Sequence, residues 1–166
     1  HILPFMDREI AQRLTMILKK QGVKVEAKAS VQKIEGTPGA MTVTYTDKKG
    51  AEHTVTAQGV LAAAGRKANL EGLFGPDFSL ELDRGGIVGD ADGRTSVPHV
   101  YVIGDAKARN IQLAHVASAQ GENAVAAILG QKPALDLSVV PSCVYTNPEI
   151  ASVGLTEEGA KAAGIP

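Results

Sequence analysis

Apolar and polar positions divide the chain into alternating helical and extended stretches. After Asp7, Ile10, Leu14, Ile17 and Leu18 recur on one helical face, Lys19 and Lys20 close the helix and Gly22 stops it, with Asp7 placed to cap its start. Val23 to Val25 and Val31 to Ile34 read as short strands. Met41, Val43 and Tyr45 alternate with polar neighbours, and His53 to Thr56 follows a turn at Asp47 to Gly50, so an antiparallel hairpin with a polar outer face is expected. Val60 to Ala64 and Val100 to Ile103 are unbroken apolar runs that each lead into a glycine, and they read as strands buried on both faces.

The remaining segments follow the same logic. Asn69 to Gly75 reads as a connection with one helical turn, and Leu80 to Thr95, with glycines at 85, 86, 89 and 93, as a turn-rich hairpin. Ile111 to Leu129 is rich in alanine and stopped by Gly130, so it reads as a helix. Its small residues, Ala114, Ala117, Ser118, Gly121 and Ala124, suit close packing against a sheet or a flat ligand. A linker begins at Gln131 to Pro133. Val139–Val140 and Val144–Tyr145 then read as strands, and Thr156 as the cap of a helix that ends near Gly164.

The candidate chemistry lies at the end of the second apolar run. Open α/β sheets bind ligands beyond the carboxyl ends of their strands, where this chain places Gly104 and Asp105. Gly104 permits close approach of a ligand. Asp105 is an acceptor-only carboxylate suited to the hydroxyls of a sugar or sugar alcohol, or it caps the turn that follows. A helix start a few residues later presents unpaired amides and partial positive charge, which suits a ligand that becomes anionic, reduced flavin among them.

Composition narrows the field. With 166 residues, 44% of them apolar, and a net charge of −1, the chain is globular rather than disordered. It has no basic stripe for nucleic acid, and its apolar runs are far shorter than the ~20 residues of a membrane span. Few aromatics and no Trp leave the core to Val, Ile, Leu and Ala, as in parallel strands packed with helices. A single cysteine fits a reducing, cytoplasmic setting, and Cys143, in a strand-like stretch, reads as a buried apolar thiol. The four histidines are too scattered for a metal site, and Asp83, Asp90 and Asp92 lack calcium-loop spacing, so no metal is expected.

Five segments, in order, resemble the flavin (pyridine nucleotide) disulfide oxidoreductase family. They are Ile2 to Ile10, Val60 to Asn69 with its Gly65-Arg66, Thr95 to Asp105, Gln112-Leu-Ala-His115-Val-Ala-Ser118, and Val140 to Gly154. Within the family the likeness is strongest to the members that act on dihydrolipoamide. Mercuric and glutathione-type reductases, or a non-catalytic truncated scaffold, are the alternatives. The resemblance implies an α/β fold: parts of FAD- and NAD(P)-binding Rossmann-like sheets, an antiparallel excursion, and the start of an α+β dimerisation domain. The expected boundaries are 1–66 for the NAD-binding part, 67–134 for the returning FAD-binding segment and 135–166 for the interface domain.

The same resemblance implies that Asp105, with Gly104, holds the ribityl chain of FAD, and that Gln112, Leu113, Ala114 and His115 lie against the isoalloxazine. Gly65 and Val31 would approach NAD. Arg66 would pair with a carboxylate or a phosphate, and His115 would contribute its backbone rather than its imidazole. The implied partners are dihydrolipoamide or a lipoyl-protein and a second copy in a homodimer. Between Asp105 and Gln112 the chain carries one residue more than the usual pattern, with Lys107 and Arg109 in a stretch often small.

Absences shape the expectation further. No Gly-x-Gly-x-x-Gly turn occurs, and one cysteine cannot form the dithiol that exchanges with a disulfide substrate. The chain is therefore expected to be an internal piece of a longer oxidoreductase, with no catalytic residue of its own, and to leave sheet edges and apolar helix faces open.

Overall fold

The computed structural model describes residues 1–165. They form two compact units, one of residues 1–63 with 141–165 and one of residues 64–140.

The first unit opens with α1 (Arg8–Lys20), whose Ala11 and Leu14 are buried. Asp7 stands at its N-cap, where its carbonyl accepts from the Ala11 N–H, but its side chain does not bond its own helix. The carboxylate instead accepts from the Glu157 N–H at 2.7 Å. At the other end Gly22, with φ of 87°, donates to the Lys19 carbonyl and Val23 to the Leu18 carbonyl, both at 3.0 Å. This is the left-handed glycine stop that satisfies the last carbonyls of a helix. It also corrects the strand expected at Val23 to Val25, because the Val23 amide is used in ending the helix.

A three-stranded antiparallel sheet follows, from β1 (Ser30–Thr37), β2 (Ala40–Thr46) and β3 (Glu52–Ala57), in that spatial order. Val31 faces Tyr45 and His53 across the strands, and Ile34 faces Val43 and Val55. Val31 and Ile34 are three residues apart, so simple alternation would put them on opposite faces. A bulge between Val31 and Lys33 inserts one residue and brings both to the apolar face. That face is open: Val31 is 59% exposed and Val55 50%. Near the end of the chain, β6 (Ser142–Val144) and β7 (Ile150–Ser152) pair antiparallel, and α3 (Glu157–Ala162) is capped by Thr156, whose Oγ1 accepts from the Gly159 N–H at 3.1 Å. The strand expected at Val139–Val140 is absent. Cys143, expected to be buried, is exposed on β6, a short strand that pairs with β7 alone among the described strands.

In the second unit, β4 (Leu82–Asp83) and β5 (Gly86–Ile87) form a tight hairpin through Arg84 and Gly85, both at positive φ. The chain then runs through a single 3₁₀ turn (Gly104–Ala106) to α2 (Ala114–Ile128), which begins three residues later than expected. Ile87, Val102, Val116, Ala124 and Ala126 form the core. Asn123 exchanges two hydrogen bonds with the backbone of Leu135, at 2.8 and 2.9 Å, and holds the returning segment to α2.

Both runs expected as doubly buried strands depart from that picture. Val60 to Ala64 pairs with no described strand, and Leu61 is 90% exposed. Val100 to Ile103 keeps one bridge, Tyr101 to Arg94, with Val102 buried and Ile103 exposed. Strands exist through their neighbours' hydrogen bonds, and every named pair among the described residues is antiparallel and local. The accessible surface is 12345 Å², whereas two separate globules of half this length would together expose roughly 9,400 Å². Large apolar side chains such as Phe5, Leu61 and Leu129 are exposed.

Candidate functional site

The site residues of the second unit gather around the 3₁₀ turn. Gly104 opens the turn at φ of 63°, and a Cβ there would stand 3.0 Å from Ala117 Cβ, so glycine lets the turn lie directly on α2. Its N–H donates to Gln120 Oε1 at 2.8 Å and its carbonyl accepts from Asn110 Nδ2 at 2.7 Å. Asp105 follows with a partly exposed carboxylate that is hydrogen-bonded and ion-paired to Arg66 Nη2. Of the two partners left open for Arg66, the structure has the carboxylate.

Asp105 and Gln112 line one pocket of about 100 Å³, together with Arg66, Lys67, Arg84 and Arg109. Gln112 is exposed, two residues before α2, and Leu113 is the helix's N-cap residue. No side chain caps this start, and the first turn of a helix carries the positive end of its dipole. Ala114 and His115 form the exposed first turn. Gly65, exposed at φ of 107°, immediately precedes Arg66. Val31 lies on β1 in the first unit.

The surroundings are cationic. Arg109 bonds Asp83, which holds that carboxyl below its ordinary range and raises the guanidinium. Lys107 Nζ donates to the Asp90 carbonyl at 2.6 Å. Among the described residues no group of three metal-ligating side chains comes together, and no helix is long and apolar enough to cross a membrane.

The pattern of residues along the chain matches a known family closely. Residues 1–121 match the model of the pyridine nucleotide-disulphide oxidoreductases, and residues 140–166 match that family's dimerisation domain. The chain belongs to the pyridine nucleotide-disulphide oxidoreductase family. Similar relatives include a dihydrolipoyl dehydrogenase of Bacillus subtilis (strain 168), 39% identical over 166 residues, and one of Mycoplasma pneumoniae, 38% identical over 168. Each alignment covers 99% of this chain and 35% of the relative. The crystal structure of LpdA from Mycobacterium tuberculosis superposes with a TM-score of 0.82 at 30% identity, covering 98% of this chain and 35% of that one. The chain thus spans about a third of the length of these relatives. The α/β fold expected for the family, with the start of its dimerisation domain, is the one present.

Asn110 and Gln120 escaped the reading of the sequence. An amide in an alanine-rich helix looks like an ordinary exposed polar residue, and nothing local marks Gln120 as buried. Its one signal is position: Val116, Gln120 and Ala124 share a helical face.

Proposed function

We propose that this chain is the portion of a dihydrolipoyl dehydrogenase that supplies the ribityl and ring-edge contacts of FAD and part of the NAD site. One observation carries this reading: the Asp105 carboxylate stands in the turn seated on α2, in the same pocket as Gln112 just ahead of that helix's uncapped start. The donor set fits the group. A carboxylate accepts from the hydroxyls of an alditol chain, and the positive end of a helix dipole favours a ring oxygen that gains negative charge. Arg66 and Lys67 add cations for a phosphate-bearing ligand. The pocket is smaller than the ~300–1,000 Å³ of whole-ligand sites, so these residues hold only part of the dinucleotide.

When bound, FAD would supply two-electron transfer between a dithiol and a nicotinamide. This chain's own part is binding and orientation, since Cys143 alone forms no dithiol. On this reading residues 1–66 belong to the NAD-binding part, 67–134 to the FAD-binding part and 135–166 to a homodimer interface. Gly65 and Val31 approach NAD, the partner substrate is dihydrolipoamide or a lipoyl-protein, and the compartment is the cytoplasm.

Intact mass spectrometry and a visible flavin spectrum of the purified chain, followed by FAD titration, test the proposal. The expected result is a perturbed flavin band that weakens at least tenfold in affinity in Asp105→Ala, on the scale of a lost charge-assisted hydrogen bond. A wild-type chain that leaves the band unchanged, or an Asp105→Ala variant that binds equally, refutes it. For the longer protein, reduction of NAD by dihydrolipoamide supports the substrate assignment, and activity only toward another disulfide or a metal ion rejects it.

A further inference from the structure

Two amide side chains and the N–H and carbonyl of Gly104 form a closed ring of hydrogen bonds next to Asp105. Gly104 N–H donates to Gln120 Oε1 at 2.8 Å, Gln120 Nε2 donates to Asn110 Oδ1 at 2.8 Å, and Asn110 Nδ2 donates to the Gly104 carbonyl at 2.7 Å. Asn110 Nδ2 also lies 3.2 Å from Gln120 Oε1. Gln120 is buried, and neither amide has a free choice of orientation: turning either one over would set oxygen against oxygen or N–H against N–H. The ring therefore needs two neutral amides in one arrangement.

Its position gives it a consequence. Gly104 immediately precedes Asp105, Asn110 stands two residues before Gln112, and Gln120 lies within α2. The ring ties together the carboxylate's turn, the approach to the helix and the helix itself. We propose that Gln120 and Asn110 are positioning residues that hold Asp105 and the start of α2 in one geometry for the flavin, a role that rests on the flavin reading of the pocket. Gln120 is buried and acts through the Gly104 N–H, and Asn110, at the pocket's wall, holds the Gly104 carbonyl. Without the ring the Asp105 turn keeps its packing on Ala117 but loses the two bonds that orient the peptide on its amino side and the peptide that joins it to Asp105.

The test uses three variants of this chain and two readouts. Hydrogen exchange of the Gly104 amide, followed by NMR, reports the ring directly. Equilibrium dialysis reports FAD affinity. Gln120→Leu is expected to speed Gly104 exchange and weaken FAD roughly tenfold, the scale of a buried hydrogen bond removed. Asn110→Asp, which keeps the acceptor and loses the donor, is expected to weaken binding similarly. Gln120→Glu supplies a readout that packing alone would not move: protonated, its carboxyl donates to Asn110 Oδ1 and restores the ring; ionised, it meets that oxygen and breaks it. FAD affinity of Gln120→Glu is therefore expected to rise as pH falls from 8 to ~5, toward the ordinary glutamate range, with wild type changing little. Should Gln120→Leu fail to fold, Gln120→Glu at the two pH values still decides. Variants that bind FAD as wild type does, with Gly104 protected equally, overturn the positioning role alone. A wild-type chain that takes up no FAD overturns the flavin reading, and the role with it, while Gly104 exchange still shows whether the ring exists.

Discussion

Gly104 offers a sharp quantitative test of how the Asp105 turn is built. In Gly104→Ala the new side chain meets two penalties. The residue sits at φ of 63°, a left-handed conformation that costs an L-residue about 1–2 kcal/mol. Its Cβ would also stand 3.0 Å from Ala117 Cβ, tighter than ordinary contact, and forcing a methyl into a packed site adds about 1–3 kcal/mol. Because α2 can yield slightly, the lower half of the combined range is expected, about 2–3.5 kcal/mol. Gly121 is the internal control. It lies inside α2, and a Cβ there meets Ile103 Cδ1 at 3.5 Å, an ordinary contact, so Gly121→Ala should gain about 0.5–1 kcal/mol from helix propensity. Urea unfolding followed by far-ultraviolet circular dichroism measures both changes. In a thermal melt Gly104→Ala should lower Tm by about 4–14 °C, at ~2–4 °C per kcal/mol for a chain of this size. If Gly104→Ala stays within about 0.5 kcal/mol of wild type, or if the two substitutions act in the same direction, the turn does not sit on α2 as described.

Three further outcomes follow from local geometry. Thr156→Ala removes the bond to the Gly159 N–H and should cost about 1 kcal/mol, seen as lost amide protection over residues 157–162; unchanged protection there refutes the cap. Asp47 is held below its ordinary 3.8 by the hydrogen bond to His53 first and then by the backbone amides of Lys49 and Ala51. Its folded pKa being depressed, the contribution of this turn is present above the ordinary value and is lost as pH falls through the folded one. Carbon-detected titration of the Asp47 carboxyl should therefore give a midpoint below 3.8, rising in His53→Ala; a wild-type midpoint at or above the ordinary value would contradict the contact. The open apolar face carrying Val31, Ile34 and Val55 should bind the dye ANS, and Ile34→Lys should reduce that signal. No enhancement in wild type means the face is covered in solution.

What could be read from the chain and what could not divides along the reach of the interactions. The helix stops at Gly22, Gly130 and Gly164 are decided within a few residues: each glycine takes positive φ and donates to a carbonyl three residues back, at 3.0, 3.2 and 3.1 Å. The meander's hairpin and the Arg84-Gly85 turn are similarly local, as is the Thr156 cap, and all of them were legible. The family likeness and the placement of Gly104 and Asp105 at the end of an apolar run were legible as well, because turn chemistry and order along the chain carry them.

Tertiary structure alone decided the rest. Alternation cannot reveal that a bulge turns Val31 to the same face as Ile34, since that depends on which residues of β2 stand opposite. Val60 to Ala64 has strand composition but no described neighbour, and extended backbone without a partner is not a strand. Arg66 finds Asp105 across 39 residues, and Gln120 finds Gly104 across 16. Pairings at that range depend on how elements pack, and the chemistry of a single amide in an alanine-rich helix holds no record of the peptide it will meet.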